Sequence, residues 1–172
     1  MDLSKISNEF ARRVKLTPLA VLSAFQLSPE TIDQLILQTR KMLVEHMSED
    51  MSEDNIKEGR LICEHVTHFF SVRGSFPTGR FVKKGTCVII TIDALVRRRS
   101  DNAMAYRCTT ITDAVTGENI TVKTNKPHIT AFCPQGVAPK ESLDYVYVDD
   151  SDEVEIIPFD ETVEATCIWK IY

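Results

Sequence analysis

Two periodicities divide the chain. Over residues 1–47 apolar side chains return every three or four positions, the spacing of one helix face. Leu3, Ile6, Phe10 and Val14 predict a first helix. Thr17-Pro18 supplies an N-cap followed by proline at the first helical position, predicting a second, short helix to about Gln26. Ser28-Pro29-Glu30 repeats that start signal, and Ile32, Leu35, Ile36, Met42 and Leu43 carry it into a longer amphipathic helix. From Leu61 onward the pattern changes. The stretches Leu61–Val72, Thr86–Leu95, Met104–Thr112, Ile120–Thr124, His128–Cys133 and Thr162–Tyr172 are rich in Val, Ile, Thr and aromatics and predict strands. Turn formers separate them at Phe76-Pro77-Thr78-Gly79, Ser100-Asp101-Asn102, Thr116-Gly117-Glu118-Asn119 and Pro134-Gln135-Gly136. A run of helices before a run of strands predicts an α+β protein with a mainly antiparallel sheet. Residues 1–60 read as an N-terminal helical extension and residues 61–172 as the folded domain, with an exposed acidic loop at 149–155.

At 172 residues, 43% hydrophobic and 26% charged, the chain has the balance of a globular protein and can fold without a disulfide or metal staple. Its net charge of −5 argues against broad electrostatic binding of duplex nucleic acid, which needs a dense basic face. A nucleotide or an RNA end, which needs only a local basic patch, is still open. No apolar run approaches the ~20 residues that span a bilayer, and the start of the chain is amphipathic, unlike a signal-peptide core. The five cysteines (Cys63, Cys87, Cys108, Cys133 and Cys167) are widely spaced, four of them inside apolar runs. They predict buried free thiols of an intracellular, cytoplasmic protein.

Chemistry concentrates in the histidines. There are four, and two share a context: His65-Val66-Thr67 and His128-Ile129-Thr130, 63 residues apart. On a strand, residues i and i+2 share a face, so His65 projects with Thr67 and His128 with Thr130, while Val66 and Ile129 point the other way. If the two strands are neighbours, two imidazoles and two hydroxyls converge. That set suits phosphoester chemistry: one neutral imidazole takes a proton from the attacking oxygen, and one charged imidazole protonates the leaving oxygen. The hydroxyls would hold the phosphate oxygens where negative charge builds up. No metal or other cofactor is required.

The paired motif resembles the two-histidine phosphoesterase superfamily, the LigT-like enzymes. His65-Val-Thr-His-Phe-Phe, Gly85-Thr-Cys-Val-Ile-Ile-Thr-Ile and the run from Lys126-Pro-His-Ile-Thr to Glu141-Ser142 are similar to its RNA-repair-like branch, related to the cyclic phosphodiesterase domain of tRNA ligases. The likeness covers about Leu61 to Tyr172. It implies a bilobal fold of antiparallel sheets flanked by helices, with the two motifs facing each other across a cleft. It also implies a phosphodiesterase that opens a 2′,3′-cyclic phosphate at an RNA or nucleotide end, or cleaves 2′-5′ oligonucleotides or cyclic dinucleotides. His65 and His128 would be the acid/base pair, with Thr67 and Thr130 on the phosphate. Where the family has an aliphatic residue after each Thr, this chain has His68 and Ala131.

Other residues have two readings each. Lys126 and Tyr106 are possible substrate contacts, with Phe69-Phe70 either stacking a base or filling the core. Lys83-Lys84 could orient a phosphate. Arg97-Arg98-Arg99 either grips an RNA backbone or forms a solvated turn. Cys63, His65 and His128 lack a fourth zinc ligand on their face. His68 should point opposite to His65, into packing, and His46 closes a helix near the acidic repeat Met47-Ser-Glu-Asp, Met51-Ser-Glu-Asp. Two non-enzymatic alternatives stay open: a nucleotide-binding module without turnover, and a scaffold that engages a protein partner through its N-terminal helices. The expected protein is a monomer that makes no membrane contact.

Overall fold

The computed structural model describes residues 21–45, 58–71, 82–123 and 125–171. Its elements are β1 (Val21–Leu27), α1 (Pro29–Glu45), β2 (Arg60–Leu61), β3 (His65–Ser71), β4 (Cys87–Arg98) and β5 (Met104–Asp113). After these come β6 (His128–Cys133), a 3-10 turn (Pro139–Glu141), α2 (Ser142–Tyr145) and β7 (Val154–Ile171). The strand order is β2-β6-β3-β1-β7-β4-β5, and β5 pairs back onto β6. Six strands therefore close into an antiparallel barrel, with β2 continuing the β3 side along β6. Closure leaves those six strands no free edge.

This corrects the expected α+β fold of two lobes flanked by helices. The expected helical extension is corrected with it. Val21–Leu27, placed in a helix by its Thr17-Pro18 start signal, is a strand hydrogen-bonded on both sides, to β3 and to β7. Leu22, Ser23, Ala24, Phe25 and Leu27 are all buried. A short apolar run carries no period that separates helix from strand, and the available partners on both flanks decide it. Residues 21–45 are thus part of the barrel, on the far side of the boundary set at residue 60. The first predicted helix, His46 and the acidic repeat lie outside the described residues.

The helix begun by Ser28-Pro29 forms as its signals predict. Ser28 Oγ accepts from the Thr31 amide at 3.2 Å, and Pro29 takes the first helical position, where no amide hydrogen is needed. Leu35, Thr39 and Leu43, four residues apart, form its buried face. Leu35 and Leu43 join Phe25, Val66, Ile90, Leu95, Tyr106 and Ile129 in one hydrophobic core. Tyr106 is fully buried, and its hydroxyl lies 3.0 Å from both the Leu35 carbonyl and Thr39 Oγ1, bonding β5 to the helix backbone.

A second, smaller cluster lies on the outer face. Ala94, Val96, Ala103 and Ala105 leave shallow ground on which Tyr145, Val146 and Val154 pack. This seats α2 against β4 and β5. Of the expected strand Ile120–Thr124, the described residues 120–123 lie outside the strands, because the turn at Gly117 (φ +72°) returns the chain for a single bridge, Thr112 to Asn119.

Candidate active site

The site is built on one core pair. Val66 and Ile129 face each other across antiparallel β3 and β6, and both are fully buried. Continuing the register by one residue each way sets His65 opposite Thr130 and Thr67 opposite His128. Alternation turns all four outward, and all four are half-buried. The two histidines are diagonal neighbours, about 7–8 Å apart on the usual antiparallel geometry and somewhat closer at Cβ, with the two threonines on the other diagonal.

Bulges keep β3 in this phase. Between the pairs Leu61–Phe132 and Val66–Ile129, residues 62–65 oppose only residues 130–131. Cys63 takes φ +50° there, a conformation uncommon for a residue with a side chain. Its thiol stays inside, 3.7 Å from Thr39 Oγ1, and burial pushes its pKa up to about 12. Cys63 and the two outward histidines therefore cannot share one ion. At the other end, His68 is the extra residue against β1, whose Ser23 and Ala24 pair with Phe69 and Thr67. His68 is 7% exposed, lies edge-on to Phe25 and has Nδ1 3.4 Å from Ser23 Oγ, away from the His65 face as its phase predicts.

His128 is oriented by backbone. Its Nδ1 lies 2.8 Å from the Lys126 carbonyl, an acceptor, so Nδ1 carries the proton and Nε2 presents a lone pair. Burial lowers its pKa below the ordinary 6.5, against a smaller upward push from that hydrogen bond. The Thr130 hydroxyl lies 3.1 Å from Ser142 Oγ and can donate to the Pro139 carbonyl at 3.4 Å. The segment from Pro139 to Tyr147 thus walls one side of the site. Lys126 Nζ reaches the Leu143 carbonyl at 3.2 Å, and the Tyr147 hydroxyl donates to the Pro127 carbonyl at 2.9 Å or to that of Cys108.

The other sequence candidates fall elsewhere. Tyr106 shares the core row with Val66 and Ile129, so as a substrate contact it is corrected: its ring points away from the histidines. Phe69 is buried under Lys123, while Phe70 is 54% exposed. Arg97, Arg98 and Arg99 are engaged by Glu155, Asp101, Glu141 and Asp150. They staple the β4–β5 turn to the start of β7 and α2. A groove of about 380 Å³ lies across β1, β7 and β4, lined by residues such as Cys87, Glu164 and Thr166, and includes Gln26, the cross-strand partner of His65.

One neighbour escaped the sequence reading. Arg107, on β5, is the direct cross-strand partner of His128. It shares the outer face by the same alternation that buries Tyr106. Its signal was a single charge inside the apolar run Met104–Cys108. Among the described residues no helix is long and apolar enough to cross a membrane. Comparison with family models, curated proteins and solved structures found no match.

Proposed function

We propose that the paired His-Thr face is the active site of a metal-independent phosphodiesterase acting on a 2′,3′-cyclic phosphate at a nucleotide or RNA end. The observation that supports it is the Val66–Ile129 register, which makes His65 and His128 diagonal neighbours with a threonine beside each. A phosphate on that diagonal has an imidazole at either side. His128 takes the base role, because its Nε2 lone pair is free of the Lys126 bond and burial favours the neutral ring. It removes a proton from water as the water oxygen bonds to phosphorus. The bond from phosphorus to one ribose oxygen breaks, and His65 protonates that oxygen. The products are a phosphate monoester and a free hydroxyl. Thr67 steadies a non-bridging oxygen. Thr130 does so only if its hydroxyl turns from Ser142 and Pro139.

That engagement of Thr130 favours a second reading, in which the same face binds a nucleotide phosphate without turnover. Incubation with 2′,3′-cyclic AMP in the presence of chelator, followed by phosphorus NMR, separates the two. Conversion to a monophosphate is the expected result. Binding without conversion overturns the hydrolase in favour of the binding module, and neither overturns both.

A further inference from the structure

We infer that Arg107 is the phosphate anchor of this face, held in a fixed orientation by Asp93; the inference rests on the proposal that the histidine face takes a phosphate. Four observations carry it. Arg107 and His128 are direct partners across β5 and β6, which brings their Cβ atoms within roughly 4.5–5.5 Å of each other. The row Arg107, His128, Thr67 then runs across three adjacent strands on one face.

The guanidinium is also preorganised. Asp93 accepts from Nε at 2.9 Å and from Nη2 at 2.7 Å. This forked pair leaves the Nη1 hydrogens and the second Nη2 hydrogen for another acceptor. A planar, permanently charged fork suits two oxygens of one phosphate, and its orientation cost is already met by the carboxylate.

The third observation is how Asp93 arrives there. In both ladders of β4 the pairing passes from Ile92 to Ala94, leaving Asp93 without a partner on either side. Against β5 it is the inserted residue of a bulge, standing between the consecutive partners Cys108 and Arg107, while on the other flank the extra residue belongs to β7, where Phe159 and Asp160 both face it. A bulge inserts one residue and re-aims a side chain, and bulges recur beside functional sites. Here the insertion also reverses the strand's phase. Val88, Ile90 and Ile92 point into the barrel before it, and Leu95 does so after it. Asp93 and Ala94 are left on the outside together, and the Asp93 carboxylate lands on Arg107.

Last, Arg97, Arg98 and Arg99 are bound to carboxylates at the far end of β4. Among the described residues, Arg107 is the guanidinium that stands next to a motif histidine.

The test uses the full chain, with inorganic phosphate and 3′-AMP as probes and the imidazole signals of His65 and His128 read by NMR, alongside kcat and KM on 2′,3′-cyclic AMP. Arg107→Met should weaken binding of both probes by about tenfold or more, and Arg107→Lys by less, since a point charge replaces the fork. Asp93→Asn should lie between wild type and Arg107→Met. Arg99→Met, remote from the site, should match wild type. In turnover, Arg107→Met should raise KM more than it lowers kcat. Should Arg107→Met fail to fold, the Arg107→Lys and Asp93→Asn pair carries the comparison. Unchanged phosphate binding in the Arg107 variants while wild type binds or turns over overturns the anchor and spares the catalytic proposal. Binding lost with Arg107 in a wild type that never turns over keeps the anchor and overturns hydrolysis. A wild type that binds no phosphate overturns both.

Discussion

Thr39 and Tyr106, both fully buried, meet hydroxyl to hydroxyl at 3.0 Å, and both reach the carbonyl of Leu35. The contact locks α1 to β5 on the core side, one layer behind the face that carries Arg107 and His128. The Leu35 carbonyl, bonded within its helix through one lone pair, has a second that accepts from one of the two hydroxyls, while the other hydroxyl donates across the Thr39–Tyr106 contact. Tyr106→Phe should therefore cost about 1 kcal/mol, the usual net worth of one buried hydrogen bond, read as a lower Tm. Activity per folded molecule should stay at the wild-type level. A collapse of activity with Tm unchanged would place Tyr106 in contact with substrate after all.

His65→Ala and His128→Ala should each remove about 10²-fold or more of the turnover, the scale of one general acid or base. The double variant should be little worse than either, because groups acting in one proton relay are not additive. Thr67→Val should cost roughly 1–3 kcal/mol of transition-state binding. Thr130→Val should cost less in turnover, since its hydroxyl is shared with Ser142 and Pro139. Steady-state kinetics on one cyclic nucleotide checks all of these.

The rate should be bell-shaped in pH, as it needs one neutral and one charged imidazole together. Burial lowers the pKa of His128, so the acidic limb of kcat/KM should fall below the ordinary 6.5 of histidine. His128→Ala should abolish that limb along with most of the rate. A limb at or above 6.5 in the wild type would remove His128 from the base role.

Stability should show the same sign. His68 and His128 both have lowered pKa values, mainly through burial. As the pH falls below 6.5, the unfolded chain takes up these protons before the folded chain does. Their contribution to stability is full above pH 6.5 and is lost as the pH falls toward their folded values. Urea titrations from pH 7.5 to 5 should show declining stability, and His68→Phe should flatten the slope. An equal slope in that variant would mean the decline comes from other groups.

Arg97→Ala and Arg99→Ala should leave KM for a nucleotide unchanged, because Glu155 engages Arg97, and Asp150 and Glu155 engage Arg99. Arg99→Ala should cost no more than about 1 kcal/mol of stability, as partly exposed ion pairs do, and Arg97→Ala should cost more, because it leaves the mostly buried Glu155 carboxylate without its close partner. A raised KM in either would restore the arginine run as a substrate contact.

Much of the local structure was legible. The start signal Ser28-Pro29 and the apolar spacing after it mark α1, and β6 spans the same residues, His128–Cys133, that its composition marks. The inward turn of His68 followed from alternation alone. What misled was the run Val21–Leu27, which suits a helix face as well as a buried strand, and the choice of Tyr106 over its neighbour Arg107. Alternation says that one of those two faces outward, and only the packing of β5 against α1 says which.

By itself the sequence determined what neighbours along the backbone impose: that each histidine shares a face with the threonine two residues on, and that an apolar residue between them points behind. Those relations come from the pleat of a single strand. The tertiary structure alone decided that β3 and β6 are adjacent and antiparallel, that β1 and α1 complete the barrel core, and that bulges at Cys63 and Asp93 set the phases that present His65 and Arg107. Partner choice between strands depends on burying surface contributed by the whole chain, and a bulge appears where two registers must be reconciled. Neither is written in any local window.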